Sequence, residues 1–168
     1  NGPELINYLR GDKANESTLF RIRDNTLGDT VNATPAYVAK PPYQFGDAVT
    51  PTYVDFQAVS RTPALYVGAN DGMLHALNGT SGAEMWAYVP TMVMPKMHVL
   101  ADENYAIKHT YFVDGSPTVM DAYFSGNWHT VLVAGLNGGG RGYYALDITN
   151  PGSPVPLWEF CDDAALCT

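Results

Sequence analysis

Apolar and polar residues alternate in short runs along most of the chain, and turn residues separate these runs. Alternation with a period of two is typical of β-strands that bury one face. The pattern predicts nine strands, at residues 18–23, 34–39, 64–68, 73–78, 84–89, 116–123, 128–135, 142–148 and 156–160. The predicted fold class is therefore all-β.

Two segments depart from this alternation. Within residues 91–110, Met94, Met97 and Ala101 follow a spacing of three and four, which is compatible with a helix of two or three turns. Residues 40–57 contain three prolines and several aromatic residues. We expect a long loop or a decorated hairpin there, because proline interrupts regular structure.

The composition supports one folded domain rich in turns. The length of 168 residues leaves room for a single core, and 16 glycines, 12 prolines and 12% aromatic residues favour short strands. Hydrophobic residues make up 46% and charged residues 15%, which excludes a disordered chain. The longest apolar stretch, 85–95, falls short of the roughly 18 residues of a membrane span.

The formal net charge of −8 argues against nucleic acid as a partner, since Lys and Arg form no cluster. The sequence begins at Asn1 without a methionine or a signal segment and stops at Thr168. We expect a fragment or a processed piece of a longer protein.

A pattern of four short motifs occurs twice in the sequence, and each copy predicts four strands. The first copy has Thr-Pro-Ala-Tyr-Val at 34–38, Leu-Tyr-Val-Gly at 65–68, Asp-Gly-Met-Leu-His-Ala-Leu-Asn at 71–78 and Glu-Met-Trp at 84–86. The second has Ser-Pro-Thr-Val at 116–119, Leu-Val-Ala-Gly at 132–135, Gly-Tyr-Tyr-Ala-Leu-Asp at 142–147 and Leu-Trp-Glu-Phe at 157–160. Trp86 and Trp158 are therefore predicted at equivalent positions of two outer strands.

Four-stranded antiparallel units that repeat in sequence bury their faces by stacking around an axis, which is a β-propeller. We expect residues 1–168 to be a single segment of such a propeller. It would hold two blades, at about 34–90 and 116–160, joined by the linker 91–110. Residues 19–23 are predicted as a strand of a preceding blade.

Several longer motifs resemble one protein family. These are Tyr-Val-Gly-Ala-Asn-Asp-Gly-Met-Leu-His-Ala at 66–76, Ala-Tyr-Val-Pro at 87–90, Tyr-Phe-Val-Asp-Gly-Ser-Pro at 111–117, Leu-Asn-Gly-Gly-Gly-Arg-Gly at 136–142 and Asn-Tyr-Leu-Arg-Gly-Asp at 7–12. Together they resemble the C-terminal, quinoprotein-like propeller of PilY/PilC-type pilus-tip proteins. The resemblance covers nearly the whole chain except residues 40–59.

The resemblance implies a non-enzymatic protein of type IV pili, secreted to the bacterial cell surface or the pilus tip. The implied roles are pilus assembly, twitching motility and adhesion to host cells, with minor pilins and host-cell receptors as partners. It also implies calcium, held elsewhere in the full-length protein. No carboxylate-rich calcium loop occurs in this sequence, so we predict no metal site in this segment.

The alternative is part of a periplasmic quinoprotein-like propeller enzyme, whose quinone would stack on a disulfide between neighbouring cysteines. Cys161 and Cys167 enclose five residues, which suits a structural disulfide loop of an exported protein, while two free thiols remain the other reading. The glycine-rich stretch 135–141 lacks the Lys-Ser/Thr of a phosphate-binding loop. We predict no catalytic residues.

Arg10, Gly11 and Asp12 are the candidates for receptor binding. Integrin-type receptors read this tripeptide through a cation and a carboxylate that a turn holds apart, and the resemblance to adhesive proteins favours such a role. The competing interpretation is that Asp12 only stabilises the turn that Gly11 permits, while water solvates Arg10.

Overall fold

Two four-stranded antiparallel sheets form the body of the protein, in a computed structural model that describes residues 2–46 and 48–162. The first sheet contains β1 (Ala36–Val38), β2 (Ala64–Ala69), β3 (Met73–Asn78) and β4 (Glu84–Tyr88). The second contains β5 (Thr118–Phe124), β6 (Asn127–Gly135), β7 (Gly142–Asp147) and β8 (Val155–Cys161). Strands pair in chain order within each sheet, which confirms the predicted all-β fold with two blade-like units.

The two sheets repeat the same register, as the sequence repeat predicts. Ala76 of β3 lies opposite Trp86 of β4, and Ala145 of β7 lies opposite Trp158 of β8. An irregularity follows directly after Ala76 in the first sheet and after Ala145 in the second. The predicted equivalence of the two tryptophans is therefore confirmed.

One continuous core joins the two sheets. The indole N–H of Trp86 donates to the Pro151 carbonyl oxygen of the second unit at 2.7 Å, and the Tyr88 hydroxyl donates to the Glu159 carboxylate at 2.5 Å. Fully buried side chains from both sheets and from the segment between them fill the space, namely Tyr66, Leu74, Val93, Phe112, Val113, Leu132, Tyr144 and Leu146. Burial of these apolar surfaces stabilises the stacking of the sheets.

The linker between the sheets is helical, but as 3₁₀-helix. It contains the segments Thr91–Ala101 and Tyr105–Ile107. Pro95 lies inside the first segment and has no N–H, so an uninterrupted α-helical ladder does not form there. Val93, Met97 and Leu100 nevertheless turn into the core.

Two short α-helices were not predicted. The first, α1, spans Gly2–Leu9, and the second, α2, spans Tyr53–Ala58 inside the segment expected to be a loop or hairpin. Thr52 caps α2: its hydroxyl accepts the Asp55 backbone N–H, and the Asp55 carboxylate accepts the Thr52 backbone N–H. Among the described residues, no helix is long and apolar enough to cross a membrane.

The predicted strand at 18–23 is wrong, and with it the strand of a preceding blade. The segment forms only one isolated bridge, between Glu16 and Phe20. Its polar groups bond α1 and the linker instead of a sheet, since the Arg21 backbone N–H donates to the Ala101 carbonyl oxygen at 3.2 Å. Phe20 is buried against Tyr8 of α1, with ring centroids 4.8 Å apart.

Backbone segments cross closely at two glycines near the second sheet. A Cβ atom on Gly115 would overlap the carbonyl oxygen of Gly135, and one on Gly139 would overlap the carbonyl oxygen of Phe112. Only glycine fits where two backbones approach this closely. The glycine-rich loop after β6 therefore lies against residues 112–115, which lead into β5.

Candidate functional site

The end of α1 fixes the conformation of the Arg10-Gly11-Asp12 tripeptide. The Gly11 N–H donates to the Tyr8 carbonyl oxygen and the Asp12 N–H to the Asn7 carbonyl oxygen, both at 2.9 Å. Gly11 has a φ of 103°, a conformation that side-chain-bearing residues rarely adopt. This is the hydrogen-bond pattern of a glycine-terminated helix, so the helix itself imposes the turn.

The structure places the two charged side chains of the tripeptide at the surface. Arg10 and Asp12 are exposed. Oδ1 of Asp12 accepts the Ala14 backbone N–H at 2.8 Å, which is the turn-stabilising role of the competing interpretation. Within the described part of the chain, the Arg10 side chain has no hydrogen-bond partner.

Arg23 anchors the turn from beneath and was missed by the sequence reasoning, which placed it at the end of a strand. Its guanidinium donates to the Tyr8 carbonyl oxygen at 2.8 Å and to the Asp12 carbonyl oxygen at 3.0 Å. It also lies over the Tyr8 ring, 3.6 Å from the centroid, and forms an ion pair with Glu16 at 2.8 Å. The hydrogen bond from Arg23 lowers the pKa of Glu16.

A cleft of about 700 Å³ separates the tripeptide turn from the outer face of the first sheet. Arg10 and Gly11 line one side of it, while Leu77 and His75 of β3 line the other. Thr26 packs against Gly11 within this cleft, about 3.7 Å from where a Cβ would lie. The cleft is therefore a mixed surface of apolar and charged groups beside the candidate receptor-binding residues.

His75 is buried in the wall of this cleft between two carboxylates. Its Nδ1 lies 2.6 Å from Glu84 Oε1, and its Nε2 lies 3.0 Å from Asp71 Oδ2. Burial lowers the pKa of His75, but the hydrogen bonds and charges of Asp71 and Glu84 outweigh it and raise the pKa above its usual value. Asp71 also accepts the Gly28 backbone N–H at 2.7 Å, so His75 indirectly holds the loop that lies next to the turn.

The remaining histidines also have hydrogen-bond partners. His98 contacts the Pro95 carbonyl oxygen, His109 contacts Asp29, and His129 contacts Asp147 at 2.6 Å. In residues 2–46 and 48–162, no group of three or more His, Cys, Asp or Glu side chains is arranged to hold a metal ion.

The predicted disulfide involves one residue outside the described part of the chain. Cys161 ends β8, whereas Cys167 lies beyond the described residues. The pairing of Cys161 with Cys167 therefore stays a prediction.

Comparison with known proteins places this geometry in a family. The family model described as the PilY1 beta-propeller domain matches residues 27–165. The chain is 43% identical over 166 residues to a type IV pilus biogenesis factor PilY1 of Pseudomonas aeruginosa strain PAK, covering 94% of this chain and 14% of that protein. A PilY1 homolog of Xylella fastidiosa is 43% identical, covering 93% of this chain and 14% of the homolog.

A solved structure shows the same likeness. The crystal structure of the Pseudomonas aeruginosa PilY1 C-terminal domain is 42% identical in sequence and matches with a TM-score of 0.59. The match covers 75% of this chain and 25% of the crystallised one. The chain thus spans about one seventh of the length of the relatives it matches, and it belongs to the PilY1 β-propeller family of type IV pilus biogenesis factors.

Proposed function

We propose that this chain is a non-enzymatic module of a type IV pilus protein that acts in pilus assembly, twitching motility and adhesion to host cells. The observation that carries the proposal is 43% identity to a PilY1 biogenesis factor across 94% of the chain. The twofold repeat of four-stranded sheets agrees with a propeller that serves as a scaffold for interactions. Minor pilins and host-cell receptors are the proposed partners.

We further propose that the protein is exported and works at the cell surface or the pilus tip. An oxidising compartment would allow Cys161 to pair with Cys167. Intact-mass measurement after alkylation without reductant checks the pairing of the two cysteines, because a disulfide leaves no thiol to alkylate. Two alkylated thiols in the secreted protein would contradict it.

Calcium, which the family resemblance implies, belongs in this proposal to parts of the full-length protein outside this segment. Calcium takes six to eight oxygen ligands, a number that a carboxylate-rich loop supplies. Calorimetric titration of this chain with calcium should therefore show no saturable heat, and a saturable site within the chain would refute the assignment.

Adhesion is assigned to the Arg10-Gly11-Asp12 turn. The cation and the carboxylate are both exposed, and the helix end and Arg23 fix the backbone between them. A pre-ordered turn loses little conformational entropy when a receptor binds it. This supports receptor binding even though Asp12 also stabilises its own turn.

The test is Asp12→Ala in the full-length protein, with Asp24→Ala as the matched control because Asp24 is an exposed carboxylate on a neighbouring loop. We expect Asp12→Ala to reduce adhesion to receptor-bearing cells, whereas Asp24→Ala leaves adhesion unchanged. Asp12→Ala also removes the hydrogen bond from the Ala14 N–H, so we expect the free energy of unfolding to fall by about 1 kcal/mol or less. Pilus number and twitching should persist in both variants.

Other outcomes separate the two halves of the proposal. Unchanged adhesion would mean that the tripeptide is only a structural turn, and it would leave the proposed role of the protein in pilus assembly unaffected. Joint loss of adhesion and piliation in Asp12→Ala alone would assign the turn to assembly.

A further inference from the structure

A second cleft lies between β1 of the first sheet and β5 of the second sheet. Its volume is about 430 Å³, and it is bounded by β1, by residues 39–43 and by Val119 of β5. Tyr37 and the proline-rich segment give it apolar walls, while Arg61 and Lys40 bring positive charge to it. Positive charge in a cleft stands out in a chain whose net charge is −8.

Arg61 is only partly satisfied in this cleft. Its Nη1 donates to the Thr130 hydroxyl at 2.7 Å, and its guanidinium carbon lies 4.6 Å from the centroid of the Phe56 ring. Within the described residues its Nε is buried and has no hydrogen-bond partner. A guanidinium carries five N–H donors, and Nη2 has no hydrogen-bond partner among the described residues, so Arg61, which lines the cleft, keeps donors for a ligand.

The neighbouring carboxylate, Asp121, is already occupied. It accepts a hydrogen bond from the Tyr53 hydroxyl at 2.5 Å and one from the Thr130 hydroxyl at 2.6 Å. Burial lowers the pKa of Arg61, and the charge of Asp121 only partly offsets this effect; no ion pair between the two is present in the described part of the chain. Thr130 and Phe56 therefore fix Arg61 in place without consuming its remaining donors.

We propose that this cleft binds a carboxylate group through Arg61, with the apolar walls receiving the carbon atoms next to the carboxylate. The planar guanidinium presents paired N–H groups that match the two oxygens of a carboxylate. The flanking Tyr37 and Pro42 suit an apolar neighbour of that carboxylate. The carboxylate is either that of a free organic acid or that of an acidic side chain in a polypeptide.

The experiment follows the backbone N–H signals of Val119 and Thr130, which line the cleft and are present in every variant, by NMR during titration of the 168-residue chain. Three probes are used: succinate, the capped peptide acetyl-Ala-Glu-Ala-amide and its twin with Gln in place of Glu. We expect a saturable shift with at least one carboxylate probe and none with the Gln peptide. Response to succinate alone indicates a free acid, and response to the Glu peptide alone indicates a polypeptide partner.

Two variants separate the effect of the paired N–H groups of Arg61 from the effect of its positive charge. Arg61→Lys keeps the positive charge and should weaken binding about tenfold, because an ammonium cannot make the paired contact. Arg141→Gln removes an exposed arginine elsewhere and should leave binding unchanged. The proposal is overturned if no carboxylate probe gives a saturable shift, if the Gln peptide binds as tightly as the Glu peptide, or if folded Arg61→Lys binds like the unmodified chain.

Discussion

At the scale of single residues, His75 is a buried histidine of the candidate site that contacts two carboxylates. It is 5% exposed, yet two carboxylates flank its ring, so the protonated form gains two charge-assisted contacts that the neutral form lacks. These contacts join β3, β4 and the turn at Asp71, which in turn holds Gly28. The protonation state of one ring therefore affects how firmly the loop beside the tripeptide is attached.

The raised pKa of His75 predicts a pH-dependent stability. The folded-state pKa lies above the ordinary value of about 6.5, so the stabilisation is fully present below that pH and is lost as the pH rises through the folded-state pKa. We expect the free energy of unfolding of the unmodified chain to exceed that of His75→Gln most below the ordinary histidine pKa, and the difference to shrink as the pH rises through the raised folded-state pKa.

Urea unfolding of both proteins across this pH range measures the difference, and exposed His98→Gln controls for the loss of an imidazole. A difference that stays constant or grows with pH would contradict the assignment of the ion pairs.

At the scale of elements, Trp86 of β4 and Trp158 of β8 occupy equivalent strand positions, but only Trp86 has the other unit packed against it. Trp86 is half-buried, packs near Tyr66 and donates to Pro151 in the turn between β7 and β8, whereas the equivalent Trp158 is 47% exposed. We expect Trp86→Phe to lower the free energy of unfolding by about 1 kcal/mol or more through the lost hydrogen bond. Trp158→Phe should change it by about 0.5 kcal/mol or less.

The two tryptophan variants are matched in chemistry and in strand register, so urea unfolding of both isolates the contact between sheets. Equal losses in the two variants would show that Trp86 contributes through its own strand and not through Pro151.

Elements with a strong two-residue period were predictable from sequence, and elements defined by tertiary contacts were not. In β6, for example, buried and partly buried residues alternate from Thr130 to Ala134, as the sequence pattern predicts. Residues 18–23 alternate equally well, but Arg21 and Arg23 find their partners in the linker and α1, which no local pattern encodes. For α2, the Thr52 and Asp55 capping pair was a readable signal that prolines nearby obscured.

The candidate site could likewise be predicted from the sequence only in part. The tripeptide and its glycine-dependent turn could be recognised in the sequence. Arg23 and His75 could not, because only contacts between distant segments bring them to the site. Arg61 gave no sequence signal at all, because its importance depends on Phe56, Thr130 and a cleft that folding creates.

At the scale of the whole molecule, the face of the second sheet that points away from the first is apolar and open. Met120, Tyr143, Trp158 and Phe160 share this face and are between 47% and 62% exposed. Because large contiguous apolar patches promote association, we expect the isolated 168-residue chain to bind a hydrophobic dye and to self-associate with rising concentration. The variant carrying Trp158→Thr and Phe160→Thr should do so less.

Dye fluorescence and light scattering test this expectation. The control is the double variant Val54→Thr and Val59→Thr, which changes two exposed valines outside the second sheet. Equal dye binding by the two double variants would show that the open sheet face has no special role.

The close backbone crossings at Gly115 and Gly139 also limit how this protein can diversify. Any side chain at either position would collide with a carbonyl of a neighbouring segment, so a library of random substitutions should return glycine alone there among folded members. Within residues 40–46, by contrast, Gln44 and Gly46 are exposed, and a Cβ atom on Gly46 would meet nothing within 4 Å, so these two positions can accept new side chains at little structural risk. New binding specificities would therefore arise more easily in that segment than in the glycine-rich loop, although both lie at the surface of the second sheet.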